Sequence, residues 1–401
     1  MTAASVEPLI FDPYDYRFHE DPYPTYQRLR AEAPLYHNAE LGFWALSRHV
    51  DVTNGFRDAA RLSSANGVSL DPAAYGPHAH RVMSFLAMDD PRHLRLRRLV
   101  FKGFTPKRVA EMEDRIRELT LSYLEPALAR GGFDWIDEVA GKLPMDVISE
   151  LMGVPAADRA EIRRLADLVV HREDGVLDIP MAAAQASMTL IGYYADMVAE
   201  RRRTPADDLT SALLNVETDG DRLTEEEIIG FMFLMVVAGN ETTTKLLGNA
   251  LYWGAKNPGE YAKVAADDHL VSDWVEETLR YDTSSQILAR TATTDIDYPY
   301  GTIPAGAKVL LLIGSANRDP EVFADGDDFR IERPDKAALA SFGAGVHFCL
   351  GAHLARLETN VALREFAARV RGYDVEDAGI ERVHSSNVRG FAKLPITVEV
   401  R

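Results

Sequence analysis

The sequence predicts a mainly α-helical fold with small β-sheets. Three observations carry this. Beyond Phe104, apolar residues recur near 3.6-residue spacing in four segments, 106–129, 143–152, 156–171 and 181–203, separated by short Gly, Pro and Asp breaks. A longer segment opens on a Thr224-x-x-Glu227 capping box and closes at Asn257-Pro258-Gly259. Strand-like runs are few: "FWALSR" and "HVDVT" (Phe43 to Thr53), "KVLLLIGSA" (Lys308 to Ala316) and "ITVEV" (Ile396 to Val400).

The elements follow in order. The Pro-, Tyr- and Asp-rich start reads as mostly irregular until 23–33. The capped segment predicts one helix over about 225–256, roughly 48 Å long at 1.5 Å per residue. Glu225 to Glu227 suit its positive end. Its middle, "IIGFMFLMVVAG", is apolar on every side, so it must cross the core. No repeat or long linker interrupts the chain, which predicts a single domain over 1–401.

Composition narrows the function classes. The chain has 401 residues, 46% hydrophobic and 26% charged, enough to bury a core and enclose a ligand. A net charge of -18 argues against nucleic acid as a partner. The single cysteine, Cys349, excludes an internal disulfide and a zinc site built on several thiolates, and points to a reducing, cytoplasmic setting. The N-terminus lacks the basic-then-apolar pattern of a secretory leader. The longest uncharged run, Ile228 to Asn240, is too short to span a bilayer, so no membrane anchor is expected.

The most informative segment is "FGAGVHFCLGAHLARLE", Phe342 to Glu358. Glycines 343, 345 and 351 permit tight turns and close approach to a flat ligand. A helix is expected from near Cys349 to Arg369, and a helix N-terminus favours a thiolate. A buried structural cysteine, or a zinc site using His347 and Cys349, are the other readings of this cysteine.

This segment resembles the haem loop of the cytochrome P-450 superfamily, F-G-x-G-x-H-x-C-x-G, at every specified position from Phe342 to Gly351. The resemblance implies the cytochrome P-450 fold, with the long helix over a b-type haem. It implies that Cys349 is the thiolate ligand of the haem iron, a ligand that favours O–O cleavage. It places His347 on a haem propionate, Phe342 as the aromatic shielding the sulfur, and Gly343 and Gly351 beside the cofactor.

Three more motifs follow the family's order. "EETLRYD" carries Glu277 and Arg280 three apart on one helical face, similar to E-x-x-R. Arg333, in "FRIERP", resembles the third, structural partner, and "ANRDPEVF" the stretch leading into it. "AGNETTTK", Ala238 to Lys245, puts hydroxyls and an acid inside a buried helix, a conflict with burial that often marks function. The Thr242 hydroxyl can compete for the Ala238 carbonyl and open the helix locally. By resemblance Glu241 and Thr242 handle protons for dioxygen activation, and Ala238 lies against the haem. Glu241 stands where many relatives have Asp. The third motif, "MDDPRHLRLRRLVFKGFTPKRV", has seven Lys or Arg between Arg92 and Arg108 and no acid. His93 and Arg97 resemble the family's H-x-x-x-R propionate pair, and Arg290 in "ILARTATTD" another propionate arginine. Arg95, Arg98, Lys102 and Lys107 form a candidate basic docking face for an acidic electron donor.

The resemblance runs from about Asp21 to the end. It implies a monooxygenase that inserts one atom of dioxygen into a lipophilic small molecule, by hydroxylation or epoxidation. Electrons would come from NAD(P)H through a ferredoxin reductase and a ferredoxin, since no fused reductase motif is present. Candidate substrate contacts are Phe85 and Leu86, in the loop 68–87, with Leu234 and Val237 on the long helix. Ile287 and Leu288 of "SSQIL", and Val388, complete the set. Access is expected through the helices between 165 and 200. Two other readings are peroxide-driven or oxidative-coupling chemistry on the same haem-thiolate site, and a non-enzymatic haem sensor or carrier.

Overall fold

The computed structural model describes residues 8–103, 105–170 and 179–401. Helices dominate, as expected, and three predicted segments appear at the expected bounds: Leu143–Met152, Met181–Arg203 and Glu225–Lys256. Segment 106–129 divides into Pro106–Ala110 and Glu113–Leu128. Segment 156–171 becomes Arg159–Val170; Phe104 and residue 171 lie outside the described residues. Loop 68–87 is partly helical, with short turns at Pro72–Ala74, His80–Met83 and Ser84–Ala87.

The central helix, Glu225–Lys256, starts as its sequence dictates. Thr224 Oγ1 accepts from the Glu227 amide, and Glu227 Oε2 accepts from the Thr224 amide, so two orphan donors are satisfied reciprocally. The other Glu227 oxygen accepts from Arg95 at 2.6 Å. The helix then crosses the core, against Leu143–Met152, Arg159–Val170, Met181–Arg203, Val271–Tyr281 and Ala352–Arg369.

The largest sheet has five strands in the order Leu35–Asn38, Phe43–Leu46, Lys308–Leu312, Ile287–Ala292, Leu62–Ser63. Its one parallel pair joins Phe43–Leu46 to Lys308–Leu312. Two strand expectations are corrected. "HVDVT" lies in the helix His49–Arg57, whose first amide, His49 N–H, is taken by Asp319 Oδ2 at 2.8 Å. "KVLLLIGSA" is strand only to Leu312 and turns into a short helix, Ile313–Ala316, where Ser315 Oγ donates to the Ser47 carbonyl. Tyr16–Glu20 is a short helix inside the stretch read as irregular. Among the described residues no helix is long and apolar enough to cross a membrane.

Candidate functional site

The cysteine loop is closed by its own backbone: the Cys349 amide donates to the Phe342 carbonyl at 2.9 Å. Gly343 and Gly345 both take left-handed φ, +67° and +70°. A Cβ on Gly345 would stand 3.0 Å from the Phe56 carbonyl oxygen and 3.1 Å from Arg57 Cα, backbone atoms that cannot yield. A Cβ on Gly351 would meet no atom within 4 Å. The helix expected from Cys349 begins at Ala352 instead, because the Phe342 bond and an extended Phe348 hold Cys349 in the loop.

Cys349 has protein around it at long range, yet its side chain is reached by solvent. Burial pushes its thiol up, against the amides of Gly351 and Ala352 and the charges of Arg97 and Arg356. The amides at the helix start favour the thiolate, as expected, and desolvation outweighs them. A coordinated metal cation inverts this balance. The zinc reading has no third donor, for the close-set trio of potential ligands found among the described residues is exposed Asp267, Asp268 and His269. Phe342 lies under the Arg356 guanidinium, 4.4 Å from its ring centroid.

Four cationic or ring donors gather beside the loop. The His93 and His347 rings are 4.0 Å apart. Nε2 of His93 and both ring nitrogens of His347 are buried without a hydrogen-bond partner. Burial, then repulsion by His93, Arg290 and Arg97, pushes His347 down to about 3, with the Met88 backbone a weak offset. Arg290 is 3% exposed; burial lowers it to about 10, Asp89 offsets this, and it donates to its neighbour's carbonyl, Ala289 O. Arg97 donates to the Phe348 carbonyl at 2.5 Å. Orphaned ring nitrogens, and a buried arginine with no salt bridge among the described residues, fit a ligand carrying carboxylates beside the cysteine. The donor set therefore fits haem: Cys349 for the iron, His93, Arg97, Arg290 and His347 for the propionates.

The central helix is buried almost all round, and its exposure along Met235, Ala238, Gly239 and Thr242 follows one face at helical spacing. Thr242 Oγ1 donates to the Ala238 carbonyl at 2.9 Å, as its spacing predicts, while the helix stays continuous there. Glu241 is buried and ion-paired to Lys245, 3.2 Å away.

The E-x-x-R pair is a two-point clasp: Arg280 Nε and Nη2 reach both Glu277 oxygens at 2.8 Å. Arg280 also donates to the carbonyls of Asn317, Gly326 and Asp328. Arg333 Nε lies 3.6 Å from Glu277, and its other nitrogens hold the Ala324 and Asp325 carbonyls. Asn317, in the quoted "ANRDPEVF" but not singled out there, completes the link. Its side chain donates to Ser341 Oγ and accepts from the Ala340 amide, the two residues before the cysteine loop. An Asn directly after a buried strand-to-helix turn was the available signal.

The candidate substrate contacts divide. Leu234 lies beside the open face of the central helix, and half-buried Val237 lies about 140° round the helix from Thr242. Phe85 packs on Phe231 and His93, with half-buried Leu86 beside it. Leu288 alternates onto the same strand face as Arg290. Val388 is joined to this region by a backbone bridge to Ser285. Ile287 is corrected: it is fully buried on the opposite strand face, among Phe11, Tyr26 and Leu310. Part of the expected access region, 171–178, lies outside the described residues. The docking face is corrected at Arg95, which is consumed by Asp221 and Glu227. Among the described residues Arg98 and Lys107 meet only exposed acids, at 3.5 and 3.9 Å, and Lys102 only the Glu217 carbonyl.

A surface cleft of about 680 Å³ opens elsewhere, walled by Tyr23, Trp253, Tyr281 and Arg382. One of its cations, Arg389, is spent on Asp282 and two carbonyls, and no residue of the cysteine loop lines it. The chemistry belongs at Cys349.

A lone cysteine in a glycine-framed loop, propionate-type donors beside it, and a hydroxyl on an open face of a buried helix define a haem-thiolate protein. Residues 179–386 match the family model "Cytochrome P-450". The chain is 62% identical over 393 residues, 98% of each chain, to the putative cytochrome P-450 123 of Mycobacterium tuberculosis. Two solved structures are similar. CYP109Q5 from Chondromyces apiculatus has TM-score 0.88 and 34% identity, covering 98% of each chain. CYP109E1 from Bacillus megaterium in complex with corticosterone has TM-score 0.85 and 30% identity, covering 95% of this chain and 99% of that one. The chain belongs to the cytochrome P-450 family of haem-binding monooxygenases.

Proposed function

We propose that the chain, acting as one domain over 1–401, inserts one atom of dioxygen into a lipophilic small molecule. The observation that carries this is the Thr242 hydroxyl on the Ala238 carbonyl, on the open face of an otherwise buried helix. The haem, when bound, supplies dioxygen activation and the push of a thiolate ligand. The protein's own residues do the rest. Cys349 offers its sulfur to the iron, shielded by Phe342. His93, Arg97, Arg290 and His347 neutralise two carboxylates that would otherwise be buried bare. Gly343 and Gly345 shape the loop, and Gly351 leaves it uncovered on the side where its Cβ would stand. Thr242 and Glu241 hold and move the protons, and Phe85, Leu86, Leu234, Val237, Leu288 and Val388 exclude water and position the substrate.

The substrate class is a rigid, apolar molecule. The corticosterone complex of the similar CYP109E1 supports a steroid-like size. Electrons come from NAD(P)H through a ferredoxin reductase and a ferredoxin. Arg98, Lys102 and Lys107 support docking of an acidic donor, and exposed Leu94 and Phe101 flank Arg98 on the same helix.

The test is a titration of the ferric protein with steroids, terpenoids, fatty acids and macrolides, followed through the haem absorption band. A compound that shifts iron to high spin is then offered for turnover, with product counted per electron pair. Thr242→Ala is expected to lower that ratio; positioned acid–base groups are worth about 10²–10⁴-fold. An unchanged ratio, or turnover with peroxide alone equal to that with redox partners, overturns the reading.

A further inference from the structure

We infer that Lys245 is a positioning residue for Glu241: it holds that carboxylate in a buried ion pair and releases it when a proton passes towards Thr242. The inference rests on the proton-handling role proposed for Glu241 and Thr242, and adds the group that controls it.

Lys245 Nζ lies 3.2 Å from Glu241 Oε2, with side chains 6% and 11% exposed. The pair sits one turn apart inside the helix that crosses the core. A lysine is seldom buried this far unless paired, because its ammonium is strongly hydrated. The fold makes room for it. A Cβ on Gly390 would stand 2.6, 2.8 and 2.9 Å from Lys245 Cβ, Cγ and Cδ. Those are the near atoms of the stem, which cannot swing aside as its tip can. Next to it, the Thr244 hydroxyl donates to the Ala140 carbonyl at 3.0 Å and fixes this turn of the helix.

The surrounding charges make Lys245 decisive. Asp167, on the helix Arg159–Val170, interacts with both members of the pair. The Asp167 side chain is exposed, yet crowding by the surrounding atoms and then repulsion by Glu241 push its carboxyl up to about 6, while Lys245 and Arg163 draw it down and Asp137 adds a small rise. Arg163 is shared with Asp146 of the helix Leu143–Met152, at 3.6 Å. Lys142 is spent on Glu138, at 3.2 Å. Lys245 is therefore the cation that Glu241 and Asp167 share. Without it, one of the two carboxyls retains its proton to higher pH, because an opposite charge at this range favours the ionised form.

The experiment compares Lys245→Met, Lys245→Arg and Gly390→Ala, with Glu241→Gln as control. One readout is the pH-difference infrared spectrum, in which a protonated carboxyl has its own C=O band. The other is product per electron pair against pH. Lys245→Met is expected to show the carboxyl band at neutral pH, and Lys245→Met/Glu241→Gln to weaken it. The coupling profile is expected to move up by about 1 unit or more. Lys245→Arg restores both. Gly390→Ala, from a different part of the chain, moves both in the same direction by displacing the stem. A folded Lys245→Met with an intact haem spectrum, no new band and an unmoved profile overturns the inference. If that variant fails to fold, Gly390→Ala decides by the same criteria. If Glu241→Gln uncouples the enzyme and the Lys245 variants do not, only this inference falls. If Glu241→Gln itself changes nothing, the proton-path reading falls and this inference with it.

Discussion

Arg280 grips both carboxylate oxygens of Glu277 at 2.8 Å, and neither side chain is exposed at all. The clasp never touches the cysteine. It reaches the loop through Asn317, whose carbonyl takes Arg280 and whose side chain takes Ala340 and Ser341. Breaking a buried pair strands the surviving charge, at a cost of about 3–5 kcal/mol. Glu277→Ala and Arg280→Ala are thus expected to lose most of the folded, haem-retaining protein in denaturant titrations. Asn317→Ala should fold and yet release haem faster. Equal haem retention in Asn317→Ala and the parent would break the proposed link.

Two glycines of the loop make a paired test. Gly345→Ala forces a left-handed residue against the Phe56 carbonyl, a strain of about 1–2 kcal/mol before any clash. The polypeptide alone should lose stability. Gly351→Ala has room and an ordinary φ of -83°, so the haem-free protein should keep its melting temperature. Haem affinity measured by transfer from a donor haem protein should nevertheless fall. A normal affinity in Gly351→Ala would show that the cofactor does not lie over that residue.

Asp167 gives a pH dependence whose sign can be worked out. Its carboxyl rises from 3.8 to about 6 in the folded protein, through desolvation by the atoms around it and then the Glu241 charge, a rise whose effect on stability is damped by the exposure of the side chain. Between those values the folded chain keeps a proton that the unfolded chain gives up. Stability contributed at this site therefore falls as pH rises through that window. Asp167→Asn is expected to flatten that part of the stability–pH curve and to gain most at neutral pH. Urea midpoints measured at intervals from pH 4 to pH 7 test it; parallel curves would mean that Asp167 ionises freely.

Charge reversal at Arg98 and Lys102 should slow reduction of the haem by a ferredoxin, and more so at low ionic strength. Arg95→Glu should instead destabilise the fold, since its guanidinium is already bound by Asp221 and Glu227. Reduction rates insensitive to the Arg98 and Lys102 changes at every salt concentration would move the docking face elsewhere.

Much of this was legible because local signals and tertiary structure agree. Thr224, Glu227 and Pro258 bracket the central helix, and the helix keeps those bounds. The glycine frame of Cys349 was equally readable, since left-handed φ and backbone contact leave little choice at 343 and 345. Failures came where a distant residue decided. "HVDVT" has β-branched alternation, but Asp319, 270 residues on, accepts from its first amide and favours a helix. Ile287 and Leu288 looked alike in sequence, and only the strand's pairing with Lys308–Leu312 sends them to opposite faces. The Glu241–Lys245 pair was visible as an i, i+4 spacing. What spacing could not show was that Gly390 folds back to make room for it.

Glu227 serves two masters. One oxygen closes the cap of the central helix, and the other holds Arg95, on the helix that also carries His93 and Arg97. The segment that faces the propionates and the segment that bears Thr242 are thus riveted at a single carboxylate. Sliding either one past the other would unpick a cap and an ion pair together. The distance between cofactor anchor and hydroxyl is accordingly gauged at the protein's edge, by a joint far from the reacting atoms.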